Sequence, residues 1–463
     1  MFFIKHDTSC VSIRSYVRKY GLTAIAAALL LAPVVVSQDI ASPDASRNQV
    51  RDPGVRGGPA NAGQPIAGLL SYELAAFKGG QEAFEEANFV RNPPPNGDAG
   101  LGPRFNSDSC VSCHAQPAVG GTSPFVNPQI EVATKNGARN RIPPFLSING
   151  PVREVRFIRN ADGTPDGGVH SIFVITGRRD AQGCRIEQDD FSNASNLSFR
   201  IPTPLFGAGL MEQIQDEALI ANLEKTSGLR AALGIKGELN RNDNTGTITR
   251  FGWKAQVASL HIFAGEAYNV EQGVSNQVFP SERDDTEGCR FNSVPEDVSA
   301  FEDTGIDDIT LFAAFMRFLA PPDRGPVDRF VTEGASVFLN LGCALCHTPS
   351  LQTSNSTVPA LRNKPVPLYS DLALHHMGPG LADHISQGRA GGDEFRTAPL
   401  WGLGKRIFFL HDGRTNDLVA AIQAHASPAR GQYPASEANA VIQRFNASSS
   451  QQKQSLLNFL RSL

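Results

Sequence analysis

Apolar positions along this chain fall into runs of different kinds. Gly21 to Val36 is apolar and uncharged, follows the basic residues Lys5, Arg14, Arg18 and Lys19, and ends at the small residue Ser37. That order is the three-part pattern of a secretory signal, so residues 1–37 are expected to be a signal peptide. The alternative is an uncleaved membrane anchor over residues 21–37; the run is short for a spanning helix, and Pro33 interrupts it. Residues 38–64 are rich in Ser, Asp, Asn, Gly and Pro and read as a disordered leader. From Leu69 to Phe89 the apolar residues Leu70, Leu74, Phe77 and Phe84 recur with helical spacing.

Val155 to Ile158 and Ser171 to Ile175 are β-type runs separated by the turn-rich stretch Asn160 to Gly168, which predicts a hairpin. Helical spacing returns over Leu210 to Leu223 and Thr310 to Leu319. Pro321-Pro322 then stops the helix and opens a linker to about Pro326. A Gly-x-x-x-Phe pattern occurs twice, at Gly80/Phe84 and Gly334/Phe338. The chain therefore reads as mainly α. Residues 65–325 are expected to form an N-terminal domain elaborated by a small β-hairpin insertion, and residues 326–463 a shorter C-terminal domain.

Composition changes little in this picture. The 463 residues suffice for two or three cores. A net charge of −4 argues against a nucleic-acid partner. The seven cysteines are more telling. Cys10 lies in the removable segment. Cys184 and Cys289 sit in similar surroundings, Gly183-Cys184-Arg185 and Gly288-Cys289-Arg290, and are expected to pair in an oxidising compartment; the alternative is two separate buried thiols.

The other four cysteines form Cys110-Val111-Ser112-Cys113-His114 and Cys343-Ala344-Leu345-Cys346-His347. Cys-x-x-Cys-His is the requirement for covalent haem attachment: two thiols add to the two vinyl groups, and the adjacent imidazole becomes the proximal iron ligand. A thioredoxin-like pair lacks its βαβ context here, and a zinc site leaves the two adjacent histidines unexplained. The reading is two covalently bound haem c groups in two helical shells, each preceded by one Gly-x-x-x-Phe pattern.

The group on the far side of each iron decides function. Met377, in the loop His375-His376-Met377-Gly378-Pro379, lies thirty residues after His347 and is the expected sixth ligand there, with His375 and His376 as rivals. No equivalent residue is evident for the first haem. Met211 and Glu212 follow the glycine-rich segment Gly207-Ala208-Gly209. Glu212 is the candidate catalytic acid/base for splitting a peroxide bond, or else a charge placed at a helix N-terminus. His170 and His261 are weaker candidates, and Met316 reads as core. Trp253 and Trp401, the two tryptophans, are placed either between the haems or against a haem or domain interface.

Several motifs carry a family resemblance. They are Phe105-Asn106-Ser107-Asp108-Ser109-Cys110, Gly207-Ala208-Gly209-Leu210, Arg250-Phe251-Gly252-Trp253-Lys254-Ala255, Gly288-Cys289-Arg290-Phe291, Met377-Gly378-Pro379-Gly380-Leu381 and Phe409-Leu410-His411-Asp412-Gly413-Arg414. With these the chain from about residue 65 onward resembles the bacterial di-haem oxidoreductase family, related to di-haem cytochrome c peroxidases. The resemblance implies two cytochrome-c-like haem domains. It also implies a peroxidase-like oxidoreductase in which electrons enter at the C-terminal His347/Met377 haem and pass to the N-terminal haem. The expected partners are a small electron-donor protein, such as a cytochrome or cupredoxin, and a small oxidant, with calcium as a further cofactor the resemblance allows. The expected location is periplasmic. The alternative function is an electron-transfer cytochrome with both haems six-coordinate and no catalysis of its own.

Overall fold

The computed structural model describes residues 50–95, 97–298 and 305–463. The expected signal peptide and possible anchor at 1–37, together with residues 38–49, lie outside them. Among the described residues no helix is long and apolar enough to cross a membrane.

Two helix pairs frame the molecule. Helix α1 (Ser71–Glu85) begins where the Glu73 side chain accepts the Leu70 backbone N–H at 2.8 Å, and it buries Phe77, Gly80 and Phe84 on one face. It packs on α3 (Asp308–Phe318), whose first turn is capped by the Asp307 side chain accepting the Thr310 N–H. The second pair is α4 (Arg329–Leu341), capped by Asp328, and α5 (Ser450–Ser462), opened by a Ser449/Gln452 capping box. Helix α2 (Leu260–Gln272) packs beside α3 and ends at Gly273 in the left-handed conformation.

The repeated Gly-x-x-x-Phe pattern now has a physical meaning. A Cβ on Gly80 would overlap the carbonyl of Leu311 on α3, and one on Gly334 would overlap the carbonyl of Ser455 on α5. Each glycine lets two helix backbones touch. The phenylalanine one turn later reaches the motif histidine: Phe84 lies edge-on to His114 at 5.9 Å between centroids, and Phe338 lies 6.4 Å from His347.

The β structure is small. Glu154–Phe157 pairs antiparallel with Leu197–Arg200 on one side and with Val169–His170 on the other. The expected partner run, Ser171 to Ile175, goes elsewhere: Phe173–Val174 pairs with Arg104–Phe105. Ile172, Phe173 and Ile175 are each fully buried. A run apolar on both faces needs cover on both, and the second core of Leu101, Phe105 and Val132 supplies it. The Leu210 to Leu223 helix is also divided, into Ala208–Glu212 and Asp216–Lys225.

Residues 50–64, expected as part of a disordered leader, lie instead as a strap along the C-terminal half. Asp52 pairs with Arg461 at 2.6 Å and accepts the Leu418 N–H at 2.8 Å. Arg56 N–H donates to the Gly404 carbonyl at 2.7 Å, and the Lys405 ammonium donates to the Arg56 carbonyl. Tertiary partners far along the chain override the local composition. Cys184 and Cys289 are bonded, with Cα atoms 4.7 Å apart, and tie segments separated by 105 residues.

Gly334→Ala should destabilise the protein. A helix-interior Gly→Ala change ordinarily gains up to about 1 kcal/mol. Here the methyl meets a backbone carbonyl, and overpacking costs about 1–3 kcal/mol; the sign of the shift in a denaturant melt checks this. Removing the Cys184–Cys289 bridge by a double Ala change should cost about 2–5 kcal/mol, read the same way, and free-thiol labelling of the unaltered protein should find neither cysteine.

Candidate haem sites

Each Cys-x-x-Cys-His motif opens into its own cleft. The first spans about 1130 Å³, part of it open to solvent, and is lined by Cys110, Cys113 and His114; the second spans about 1450 Å³, also partly open, and is lined by Cys343, Cys346 and His347. In both, the imidazole is fixed through Nδ1: His114 lies 3.0 Å from the Gly121 carbonyl, and His347 3.0 Å from the Tyr369 carbonyl. Nδ1 then carries the proton, and Nε2 is left as a neutral donor, the arrangement a metal-ligating histidine takes. Burial pushes the pKa of both imidazoles down to about 4, so both are neutral, as a ligand must be. The donor set, the apolar walls and the space in each cleft fit a covalently held macrocycle.

The clefts differ in what else faces them. Met377 lines the second. Its rivals are engaged: His375 lies between Glu437 at 2.7 Å and Asp371 at 3.1 Å, and His376 contacts Asp393 at 3.1 Å and Glu394 at 3.4 Å. The Asp371 carboxylate also pairs with Arg230 at 2.5 Å. Sequence reasoning passed over His411 and His425, which line this cleft as well. His425 Nδ1 approaches the Ala421 carbonyl at 2.8 Å, and the His411 ring stacks on Phe395 at 4.2 Å.

The first cleft is lined by ionisable groups. Glu154, Glu266 and Glu271 face it together with Arg156 and Arg200. Burial, reinforced by Glu154 and Glu266, pushes the Glu271 carboxyl up to about 8, so it holds a proton at neutral pH. Glu266 is shifted upward as well, chiefly by burial. Glu271 and Glu266 were legible only as charges within an otherwise apolar helix.

Glu212 is not among the residues lining either cleft. Its carboxylate pairs with Arg317 at 2.8 Å and accepts the Leu260 N–H at 3.0 Å, at the start of α2. Met211 is buried beside a small crevice, and Met316 lines the first cleft from α3. His170 is held between Asp166 and Asp189, and His261 contacts Thr310; neither lines a cleft. Among the described residues, Cys346, Asp371 and His375 form the one set of three cysteine, histidine or acidic side chains spaced to hold a metal ion.

Trp253 stands in the wall of both clefts. Its indole N–H donates to the Ile201 carbonyl at 2.9 Å, and its ring meets His411 edge-on at 6.4 Å. The next residue, Lys254, is fully buried. Its ammonium lies 3.0 Å from Asp383 and donates to the carbonyls of Gly391 and Glu394, each at 2.8 Å. Asp383 also pairs with Arg200 at 2.7 Å.

A family model described as "Di-haem oxidoreductase, putative peroxidase" matches residues 161–463. The chain belongs to the di-haem oxidoreductase family. Among solved structures, this di-haem oxidoreductase is similar to hydrazine synthase of Kuenenia stuttgartiensis, at 12% identity and TM-score 0.37, over 89% of this chain and 97% of that one. It is also similar to the diheme peroxidase BthA of Burkholderia thailandensis E264, at 14% identity and TM-score 0.28, over 46% of this chain and 65% of that one. A MauG-like protein associated with microbial copper homeostasis matches at 16% identity and TM-score 0.27, over 49% of this chain and 76% of that one. No curated relative matches the sequence.

Replacing Cys343 and Cys346 with Ala should leave one covalent haem, recovered by mass spectrometry on the peptide containing Cys110 and Cys113. Recovery of two would break the assignment of the second motif.

Proposed function

We propose that this di-haem oxidoreductase is an exported, peroxidase-like enzyme with two haem c groups. In this reading residues 65–325 carry the catalytic site, and residues 326–463 carry the electron-entry site. The observation that supports it is the asymmetry of two clefts sharing Trp253: acids face His114, and a thioether faces His347. When bound, the haems supply electron storage and oxidant reduction, with electrons entering at the His347/Met377 site and passing to the His114 site. A thioether favours the reduced iron and suits an entry port.

The protein's own groups supply the rest. Glu271, kept protonated by burial, is the proton donor to the oxygens of a small oxidant, and a proton from solvent, passed by way of Glu266, restores it. Arg156, near these acids, limits their mutual repulsion. Trp253 spans the wall between the clefts and excludes water from it. The site for a peroxide-sized oxidant is thus the cleft of Glu271, and Glu212 takes a positioning role at the start of α2. The electron donor in this reading is a small cytochrome or cupredoxin in the periplasm.

Glu271→Gln should lower peroxide turnover about 10²-fold or more while leaving both haem spectra near those of the unaltered protein. Trp253→Phe should slow inter-haem electron transfer in stopped-flow traces of half-reduced protein. Cyanide should bind one haem, and a Cys343/Cys346 double Ala variant should retain that binding. Two low-spin haems that both refuse cyanide would instead make the protein an electron carrier.

A further inference from the structure

Most buried cations of this protein have a carboxylate partner. Arg200 and Lys254 share Asp383, Arg230 has Asp371, and Arg461 has Asp52. Arg396 and Arg406 differ. They are only 7% and 8% exposed, and neither forms an ion pair with a described residue. Arg396 donates through Nε to the Gly252 carbonyl at 2.9 Å, with a long contact from Nη1 to the Thr397 carbonyl at 3.5 Å. No side-chain hydrogen bond holds the Arg406 guanidinium among the described residues; its backbone carbonyl is what Arg461 binds. The two guanidiniums are close enough to interact: burial, then Arg406, brings the pKa of Arg396 down to about 10. Two neighbouring buried cations without an anion are costly, and the cost is removed only by a charged acceptor.

Their position identifies the acceptor. Both line the second cleft, and both also line a smaller crevice of about 500 Å³ that continues from it. That crevice is lined by Trp253 and Trp401 but by neither motif cysteine. The arginines therefore line the second cleft where it meets this crevice, on the Trp253 side that also borders the first cleft. A porphyrin attached through its vinyl groups carries its two carboxylates on the opposite edge. The planar guanidinium fork matches a carboxylate in two-point contact.

We propose that Arg396 and Arg406 form a carboxylate clamp that holds the propionates of the haem attached at Cys343 and Cys346. The clamp rests on the haem reading of that cleft. It also reaches the neighbouring site: the Arg396 backbone N–H donates to the Trp253 carbonyl at 2.9 Å, and its side chain holds Gly252. The propionate edge is thereby fixed to the tryptophan in the shared wall. Both arginines are positioning residues.

The test uses the full-length exported protein. A pyridine haemochrome spectrum and intact mass first establish two covalent haems; their absence overturns the haem reading itself, and the clamp with it. With haem present, Arg406→Gln should shift the propionate bending modes in resonance Raman spectra. It should also lower one of the two midpoint potentials, because losing a nearby positive charge favours ferric iron, and leave the other unchanged. Arg406→Lys should keep that potential, because the charge remains, yet still shift the bending modes, because the fork is gone. It carries the test if the Gln variant does not fold. Unshifted modes in both variants overturn the clamp. So does a saturable spectral response to acetate that is present in the unaltered protein and lost in Arg406→Gln with its bending modes unmoved. That result would mean the arginines hold an exchangeable carboxylate instead of the cofactor's own.

Discussion

The Asp383 carboxylate is the point on which the arrangement of the two clefts depends. It is buried between Arg200, whose side chain lines the first cleft, and Lys254, which follows the tryptophan of the shared wall. Burial alone would raise its pKa, but the two cations overcome that and hold it ionised. Lys254 then satisfies its remaining donors with two backbone carbonyls of the Gly391–Glu394 segment and lies 4.1 Å over the Phe395 ring. Residues from both halves of the sequence meet in one small polar knot. Breaking such a buried pair from one side costs about 3–5 kcal/mol, since the remaining charge has nowhere to go. The knot therefore fixes the depth of Trp253 more tightly than apolar packing would.

Around that knot the same helix crossing is used twice. Gly80 and Gly334 each admit a carbonyl of the facing helix, and each is followed by the phenylalanine that reaches the motif histidine. Repetition of the frame makes the difference in lining residues the informative part. Three glutamates line one cleft, while a methionine and two arginines with no carboxylate partner among the described residues line the other. One frame serves two chemical environments because the residues that distinguish the clefts, the glutamates of one and the methionine and arginines of the other, come from α2, short strands and loops.

What was legible in the sequence was whatever is encoded locally. The two pentapeptides, the repeated Gly-x-x-x-Phe, Met377 in its loop and the likeness around Cys184 and Cys289 could all be read directly. Glu212 could not be placed, because its partner Arg317 lies 105 residues away and only folding brings them together. The converse holds for Glu271, whose raised pKa comes from burial, reinforced by Glu154 on a strand distant in sequence. Arg396 and Arg406 look like ordinary cations in sequence; their distinction is the lack of a carboxylate partner among the described residues, which no local pattern reports. The strap at residues 50–64 has the composition of a disordered segment and is ordered by contacts with residues near the other end of the chain.

That strap has a consequence for the order of events in the molecule's life. The Asp52–Arg461 pair joins residues 409 apart, and Arg461 belongs to the closing turn of the last helix. The earliest described residues thus lack their ion pair until Arg461 has been made, although Arg56 can already dock on Gly404 and Lys405. Contacts of such long range form late, because the chain entropy lost in closing the loop must be met first. Assembly of the second helix pair and docking of the strap become one terminal event. A chain cut short by its last turn would keep both Cys-x-x-Cys-His motifs and both Gly-x-x-x-Phe patterns, yet leave Asp52 without its ion-pair partner.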